Sequence, residues 1–284
     1  GAAVSDFPDM ELLCSMLSSE KTGTSVASLR ADSTTPELVQ ILANSGHRTI
    51  TLAPEAGSER LRRIINKGIT EDVLLGTVAM ALRAGIPNIK LYIMIGLPEE
   101  TDEDISAIHD LALKTLQCMK DNGHAGTLTL SVNPFVPKPF TPFQWLPMAE
   151  QTVVAARLKW LEKSLKNEKR IRVQAESLRE AYIQGVLARG DRRLGQALLE
   201  AHKLGGRKQW KQALKLTRID EKEYLNREYS RDEALPWHRI DVGVSVDYLW
   251  AELQKARQEA ATVACSPECR RCGACDAQGG VGAN

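Results

Sequence analysis

Aromatic side chains are scarce, at 5% of the chain, which weakens a stacking platform for RNA or single-stranded DNA. No charge of one sign prevails. Against 37 Lys and Arg stand 36 Asp and Glu, so no basic field argues for nucleic acid and no acidic tail is present. No apolar run approaches the roughly 20 residues of a membrane span. Gly1 to Asp6 lack both a basic start and an apolar stretch, so no secretory signal is expected and the protein reads as cytoplasmic. Cysteine is sparse, with six in the chain, and unevenly placed. Cys14 and Cys118 stand alone in helical patterns, whereas Cys265, Cys269, Cys272 and Cys275 fall within eleven residues. A disulfide framework would spread its cysteines, so this tail points to a metal or cluster site. What is present is globular in kind: 43% hydrophobic and 26% charged residues over 284 positions exclude wholesale disorder, collagen and coiled coil.

The first half alternates short β-rich runs with amphipathic helices. Ser25 to Leu29 reads as a strand, and Thr35 with Pro36 opens a helix that stops at Gly46. Thr49 to Ala53 is the next strand, followed by a polar loop and a helical turn through Ile65. Thr70 caps a helix ending at Gly85, and Ile89 to Ile95 is a strand apolar enough to be covered on both faces. Thr101 and Asp104 form a capping-box pattern for a helix through Cys118, and Leu128 to Val132 is a further strand. This alternation predicts βαβ units and a parallel sheet or barrel.

After Pro134 the pattern changes. Five prolines between Asn133 and Pro147 predict an irregular segment crossing the surface. Helical patterns follow at 151–165, 178–188, 192–202 and 246–260, with one short strand at Arg170–Gln174. A boundary falls near Leu146, and Gly279 to Asn284 are expected to fray.

In a parallel βα architecture ligands bind on the loops at the carboxyl ends of the strands. Those loops contain Arg30, then Glu55 to Arg60, then Gly96 to Thr101, then Asn133 to Phe135. Glu55, Glu99 and Glu100 crowd one rim, suited to ribose hydroxyls or an ammonium group, or to complementing helix dipoles. They could also serve as acid and base groups of an unrelated barrel enzyme. The five histidines fall at no metal-ligand spacing. Arg189-Gly190-Asp191-Arg192-Arg193 could bind phosphate or nucleic acid, or simply cap and pack a helix start. Trp210, Trp237 and Trp250 are expected to anchor the later helices to the barrel.

The run Ala53-Pro54-Glu55-Ala56-Gly57-Ser58, with Asn66-Lys67-Gly68 after it, resembles the fourth-strand loop of radical S-adenosylmethionine enzymes of the methylthiotransferase and oxygen-independent coproporphyrinogen oxidase type. Tyr92 to Thr101 looks like their fifth-strand segment ending Gly-Leu-Pro-Gly-Glu-Thr. The whole chain is most similar to the C-terminal part of an uncharacterised radical SAM family that often carries an N-terminal cobalamin-binding-type domain. That likeness includes Phe135 to Trp145, Ala188 to Arg193, Leu235-Pro236-Trp237 and the closing cysteines.

The resemblance implies an α/β fold: an incomplete parallel (β/α) radical SAM-type partial barrel holding strands three to six, with a mostly helical C-terminal extension and a Cys-rich tail. The corresponding domains are 1–146, 147–260 and 261–284. It places Glu55 and Ser58 at the ribose and amino-acid portion of S-adenosylmethionine, and Gly96 and Leu97 against its adenosine. Tyr92 and Met94 depart from the family pattern there, where Gly96 and Glu99 agree with it. Arg30 is a carboxylate partner by position. The radical [4Fe–4S] cluster needs a Cys-x3-Cys-x2-Cys loop ahead of these strands, and only Cys14 precedes them. The chain is therefore expected to be a fragment, inactive alone. Cys265, Cys269, Cys272 and Cys275 read as ligands of an auxiliary Fe–S cluster or of structural zinc, with the radical cluster itself disfavoured by position. Arg270 and Arg271 could shield thiolates there. The resemblance further implies an electron donor such as flavodoxin or ferredoxin, cobalamin in the longer protein, and an unknown substrate. The rival is a non-catalytic Cys₄ zinc module for partner or RNA interaction.

Overall fold

The computed structural model describes residues 7, 9–20, 26–266 and 268–275. Two compact units divide the chain: Gly1–Ile95 with Glu99–Asn133 and Ala155–Glu176, and Gly96–Pro98 with Pro134–Val154 and Ser177–Asn284.

The first unit is a parallel sheet with its connecting helices. In chain order it contains α1 (Met10–Ser19), α2 (Pro36–Asn44), β1 (Thr49–Glu55), α3 (Glu59–Ile64), α4 (Glu71–Arg83), β2 (Asn88–Ile95), α5 (Asp102–Asp121), β3 (Leu128–Pro134), most of α6 (Gln151–Leu165) and β4 (Ile171–Ala175). The strands lie in the order β1-β2-β3-β4. Ile50 pairs with Ile89 and Leu52 with Leu91, while Leu128 pairs with Ile171 and Val132 with Ala175. This is an α/β fold consistent with a partial radical-barrel architecture of the kind expected.

The helix starts follow their caps. Thr35, Ser58 and Thr70 each accept a backbone N–H from the first turn of α2, α3 and α4. At α5, Asp104 Oδ2 accepts from Thr101 N–H at 2.8 Å and from its hydroxyl at 3.1 Å.

In the first unit three expectations change. The strand at Ser25–Leu29 reduces to a single parallel bridge, Leu29 to Leu52, with Ser25 outside the described residues. The chain turns at once into a 3₁₀ turn, where the Arg30 carbonyl accepts from the Thr34 hydroxyl instead of a neighbouring strand. The short strand near 170 is β4, a full member of the sheet, so the sheet continues past Leu146. β2 is buried on one face only: Ile89, Leu91, Ile93 and Ile95 are inside, while Lys90, Tyr92 and Met94 are half-buried.

The second unit contains α7 (Leu178–Arg189), α8 (Leu194–Lys203), α9 (Trp210–Leu216), α10 (Lys222–Leu225) and α11 (Val246–Arg257). One apolar cluster gathers Val136, Met148, Val186, Trp210 and Leu214, and another gathers Trp145, Trp237, Leu249 and Leu253 with Trp250 at its edge. The three expected anchoring tryptophans thus pack in clusters of this unit itself.

The proline-rich segment does not cross the surface. Val136, Gln144, Trp145 and Leu146 are buried, with a 3₁₀ turn at Pro142–Trp145. Burial is possible because partners arrive from far along the chain. Gln144 Oε1 accepts from Trp237 Nε1 at 2.6 Å and from Phe140 N–H, the Trp145 carbonyl accepts from Tyr229 N–H, and the Leu146 carbonyl accepts from Arg189. No helix among the described residues is long and apolar enough to cross a membrane.

Candidate functional site

The carboxyl ends of β1 and β2 are neighbours, because Glu55 pairs with Ile93. Between Leu52 and Glu55 the register shifts: three steps along β1 match two along β2, a bulge that re-aims the strand end. Glu55 then adopts φ 67°, and Glu99, in the turn after β2, adopts φ 60°. Each such left-handed non-glycine residue costs about 1–3 kcal/mol, and these conformations concentrate at ligand clamps and active sites. Gly96 has φ 81°.

Glu55 is mostly enclosed, its side chain 25% exposed, with Lys67 Nζ 3.4 Å from Oε1. Burial pushes its carboxyl above the usual value, and the Lys67 ammonium opposes that only in part.

The loop after β1 is clamped to the start of α5. Ser58 donates from its hydroxyl to Asp104 Oδ1 at 2.5 Å and accepts from Leu61 N–H at 3.0 Å. Arg60 Nη2 reaches Asp104 Oδ2 at 2.5 Å and the Glu99 carbonyl at 2.6 Å. Burial works to raise the Asp104 carboxyl. The hydrogen bonds from Arg60, Ser58 and Thr101 overcome it and hold the group below its ordinary value. Gly57 completes the clamp, since a Cβ there would stand 2.3 Å from Ile108 N. The bare backbone thus lies directly on α5.

The expected site residues separate by role. Glu55 is brought into the clamped loop with its carboxylate only partly engaged, whereas Ser58 spends its hydroxyl on cap and clamp. Glu99 is exposed and offers its carbonyl to Arg60. Glu100 is not on the rim: its side chain is 1% exposed and salt-bridged to Arg157 at 2.8 Å. Arg30 forks onto Asp32, with Nε and Nη2 at 3.1 and 2.7 Å from the two carboxylate oxygens. In the second unit, Leu97 is buried and a Cβ on Gly96 would press on Val154 and Ala149. Arg60, Lys67 and Arg157 were not singled out from the sequence. Asp104 was visible only as a cap, because one of its oxygens serves the local box and the other serves a loop 46 residues upstream.

Cys14 is buried, burial raises its thiol, and with the next cysteine at Cys118 it has no companions at cluster spacing. In the tail, Arg271 Nε lies 3.1 Å from Cys269 Sγ and brings that thiol down to about 7. Arg271 also donates to the Val263 and Ala264 carbonyls, and the Cys272 carbonyl accepts from Ser245 N–H at 2.7 Å, which ties the tail to the start of α11. Cys265 contacts Cys269, although no three His, Cys, Asp or Glu side chains among the described residues converge as a metal-ligand group. Four thiols, one of them favoured as thiolate, are soft donors by chemistry, although they do not converge on one point among the described residues. Gly279 to Asn284 lie outside the described residues.

The model of the Radical SAM superfamily matches residues 1–112. An uncharacterized protein of Methanocaldococcus jannaschii is 37% identical over 198 residues, covering 69% of this chain. The chain spans 41% of the length of that curated relative.

Proposed function

Because residues 1–112 belong to the radical SAM superfamily of enzymes, we propose that this chain carries part of an S-adenosylmethionine site, with Glu55 receiving the ribose hydroxyls or the ammonium group. The observation that carries this reading is the Glu55 carboxylate itself. It stands at the end of a parallel strand, in a left-handed conformation, beside a loop clamped to the start of α5. Ser58, Arg60 and Asp104 position that loop. Gly96 and Leu97 would lie along the adenosine, with Glu99 beyond them. Arg30 would take the cofactor's carboxylate only by releasing Asp32.

The Cys-x3-Cys-x2-Cys thiolates would come from sequence outside these 284 residues, since Cys14 does not fit and the tail follows the sheet. A [4Fe–4S] cluster held there would supply one-electron reduction of S-adenosylmethionine, replenished by the electron donor. Without that loop the chain is expected to be inactive. Cobalamin in a longer protein, a flavodoxin- or ferredoxin-type donor, a cytoplasmic location and a separate metal or cluster tail at 261–284 belong to this proposal, whereas a barrel domain ending at 146 gives way to a sheet that includes β4.

In a protein that includes the cluster loop, Glu55→Gln should weaken S-adenosylmethionine binding about tenfold, as expected when a charge-assisted contact is lost. Titration calorimetry reads the affinity, and metal content of the tail should stay constant. Unchanged affinity overturns the assignment of Glu55. A second reading, a Cys₄ zinc module, draws on the Arg271-favoured thiolate at Cys269. Anaerobic reconstitution separates the two: iron and sulfide with charge-transfer absorption favour an auxiliary cluster, and zinc alone favours the module.

A further inference from the structure

Two stretches that the site above does not use, Arg189 to Arg193 and Leu235 to Arg239, meet in the second unit. Together they wall a cleft of about 960 Å³, which shares Asp191, Arg193, Ala234, Leu235 and Pro236 with a smaller cavity of about 250 Å³. Local sequence explains how the walls hold their places. A Cβ on Gly190 would stand 2.8 Å from the Val186 carbonyl oxygen and against the Leu194 side chain, so a larger residue would displace its neighbours where the chain turns from α7 into α8. Asp191 then fixes the turn by accepting from Arg193 N–H at 2.9 Å. Opposite, Trp237 is buried and held by Gln144, which leaves His238 and Arg239 on the cleft side of their 3₁₀ turn.

The charges around the cleft do not cancel. Asp191 is paired with Arg193 at 2.9 Å, and Glu233 accepts both Nη atoms of Arg227 at 2.8 and 2.7 Å. Arg192 and Arg239, exposed on the cleft wall, have no carboxylate at ion-pair distance among the described residues. Arg189 adds a second, independent observation. It lines the smaller cavity, is 1% exposed and stacks 4.2 Å from the Tyr229 ring centroid, with Glu233 of the same cavity acting on its charge without a direct ion pair. Its other nitrogens donate to the Leu146 and Arg227 carbonyls, while Nε remains without a hydrogen-bond partner. A buried cation with an unsatisfied donor is costly unless an anion completes it.

We propose that this cleft binds a small organic phosphate, with the phosphoryl oxygens on the guanidinium forks of Arg192 and Arg239, the open Nε of Arg189 in the adjoining cavity adding to the attraction, and the organic part on Leu235 and Pro236. Guanidinium forks match phosphate oxygens bidentately. A dianion with several acceptor oxygens answers three separately placed cations better than a single carboxylate does. The near-zero net charge of the chain favours a small ligand over a nucleic acid.

The test is titration of pyrophosphate into the 284-residue protein at low ionic strength, where exposed charges are least screened. One saturable site is expected. The double substitution Arg192→Gln with Arg239→Gln should weaken it at least about tenfold, since charge-assisted forks are lost, and should leave the melting temperature unchanged because both side chains are exposed. Arg192→Lys with Arg239→Lys should restore part of the affinity, as charge returns without the fork. Absence of saturable binding, or equal affinity in the glutamine double variant, overturns the proposal. So does a single-stranded RNA oligonucleotide binding through these arginines where pyrophosphate does not.

Discussion

Arg62 and Arg189 are each 1% exposed, yet the two units arrive at these buried cations by different routes. Arg62 lies in α3 and donates to the Ala56 carbonyl six residues away at 3.2 Å, with Glu59 one turn earlier at 3.9 Å. Arg189 reaches carbonyls 43 and 38 residues distant and stacks 4.2 Å from the Tyr229 ring centroid. Burial pulls both guanidiniums below their ordinary value. The first cation belongs to its own loop. The second fastens three remote segments together, and its removal strands groups that nothing local can satisfy.

The largest expected effect follows from that contrast. Arg189→Met leaves the buried Leu146 carbonyl and the part-buried Arg227 carbonyl without their donor and should cost about 2–4 kcal/mol in denaturant unfolding. Arg62→Met loses one modest hydrogen bond and removes two unsatisfied donors, so it should fall within about 1 kcal/mol of the parent. Equal losses would break the distinction.

Within the first unit, Gly57→Ala should cost about 1–3 kcal/mol by forcing the clamped loop off α5. Gly68→Ala, with nothing within 4 Å of its Cβ, should stay within about 0.5 kcal/mol. A Gly57→Ala protein as stable as Gly68→Ala would mean the loop is not held as described.

The smallest effect is a pair of opposed pH dependences. Asp104 has a lowered carboxyl, so its contribution is present at neutral pH and lost as pH falls through its folded value. Glu55 is raised: the folded state holds its proton more tightly, and stability declines as pH rises through the carboxylate range. Asp104→Asn should flatten the acid limb of the stability curve and Glu55→Gln the limb above it. Stability profiles with the same slope in both variants would contradict the two assignments.

The same contrast explains what was legible in the sequence. The helix starts at Thr35, Thr70 and Thr101 and the strands at 49–53, 89–95 and 128–132 were readable because caps and alternation act over a few residues. The Glu55 loop was readable as a motif at a strand end. The burial of Gln144 and Trp145 was not, since prolines signal irregular backbone and say nothing of a donor 93 residues away in Trp237. Glu100 misled for a related reason: its salt bridge comes from Arg157, 57 residues on, so a rim acid on paper is an interior ion pair. Leu29 shows the opposite failure, where a strand-like run ends in a turn closed by the hydroxyl of Thr34.

The extra residue in β1 makes the direction of one carboxylate a matter of counting. Leu52 sits opposite Leu91 and Glu55 opposite Ile93 only because Ala53 and Pro54 together occupy one step of the neighbouring strand. Successive strand residues face opposite sides of a sheet. Straightening the bulge at constant chain length would therefore move Glu55 one step on, opposite Met94 and to the far side, without altering a single chemical group in the loop. The aim of the carboxylate thus depends on the bulge at Ala53 and Pro54 as much as on the identity of the acid.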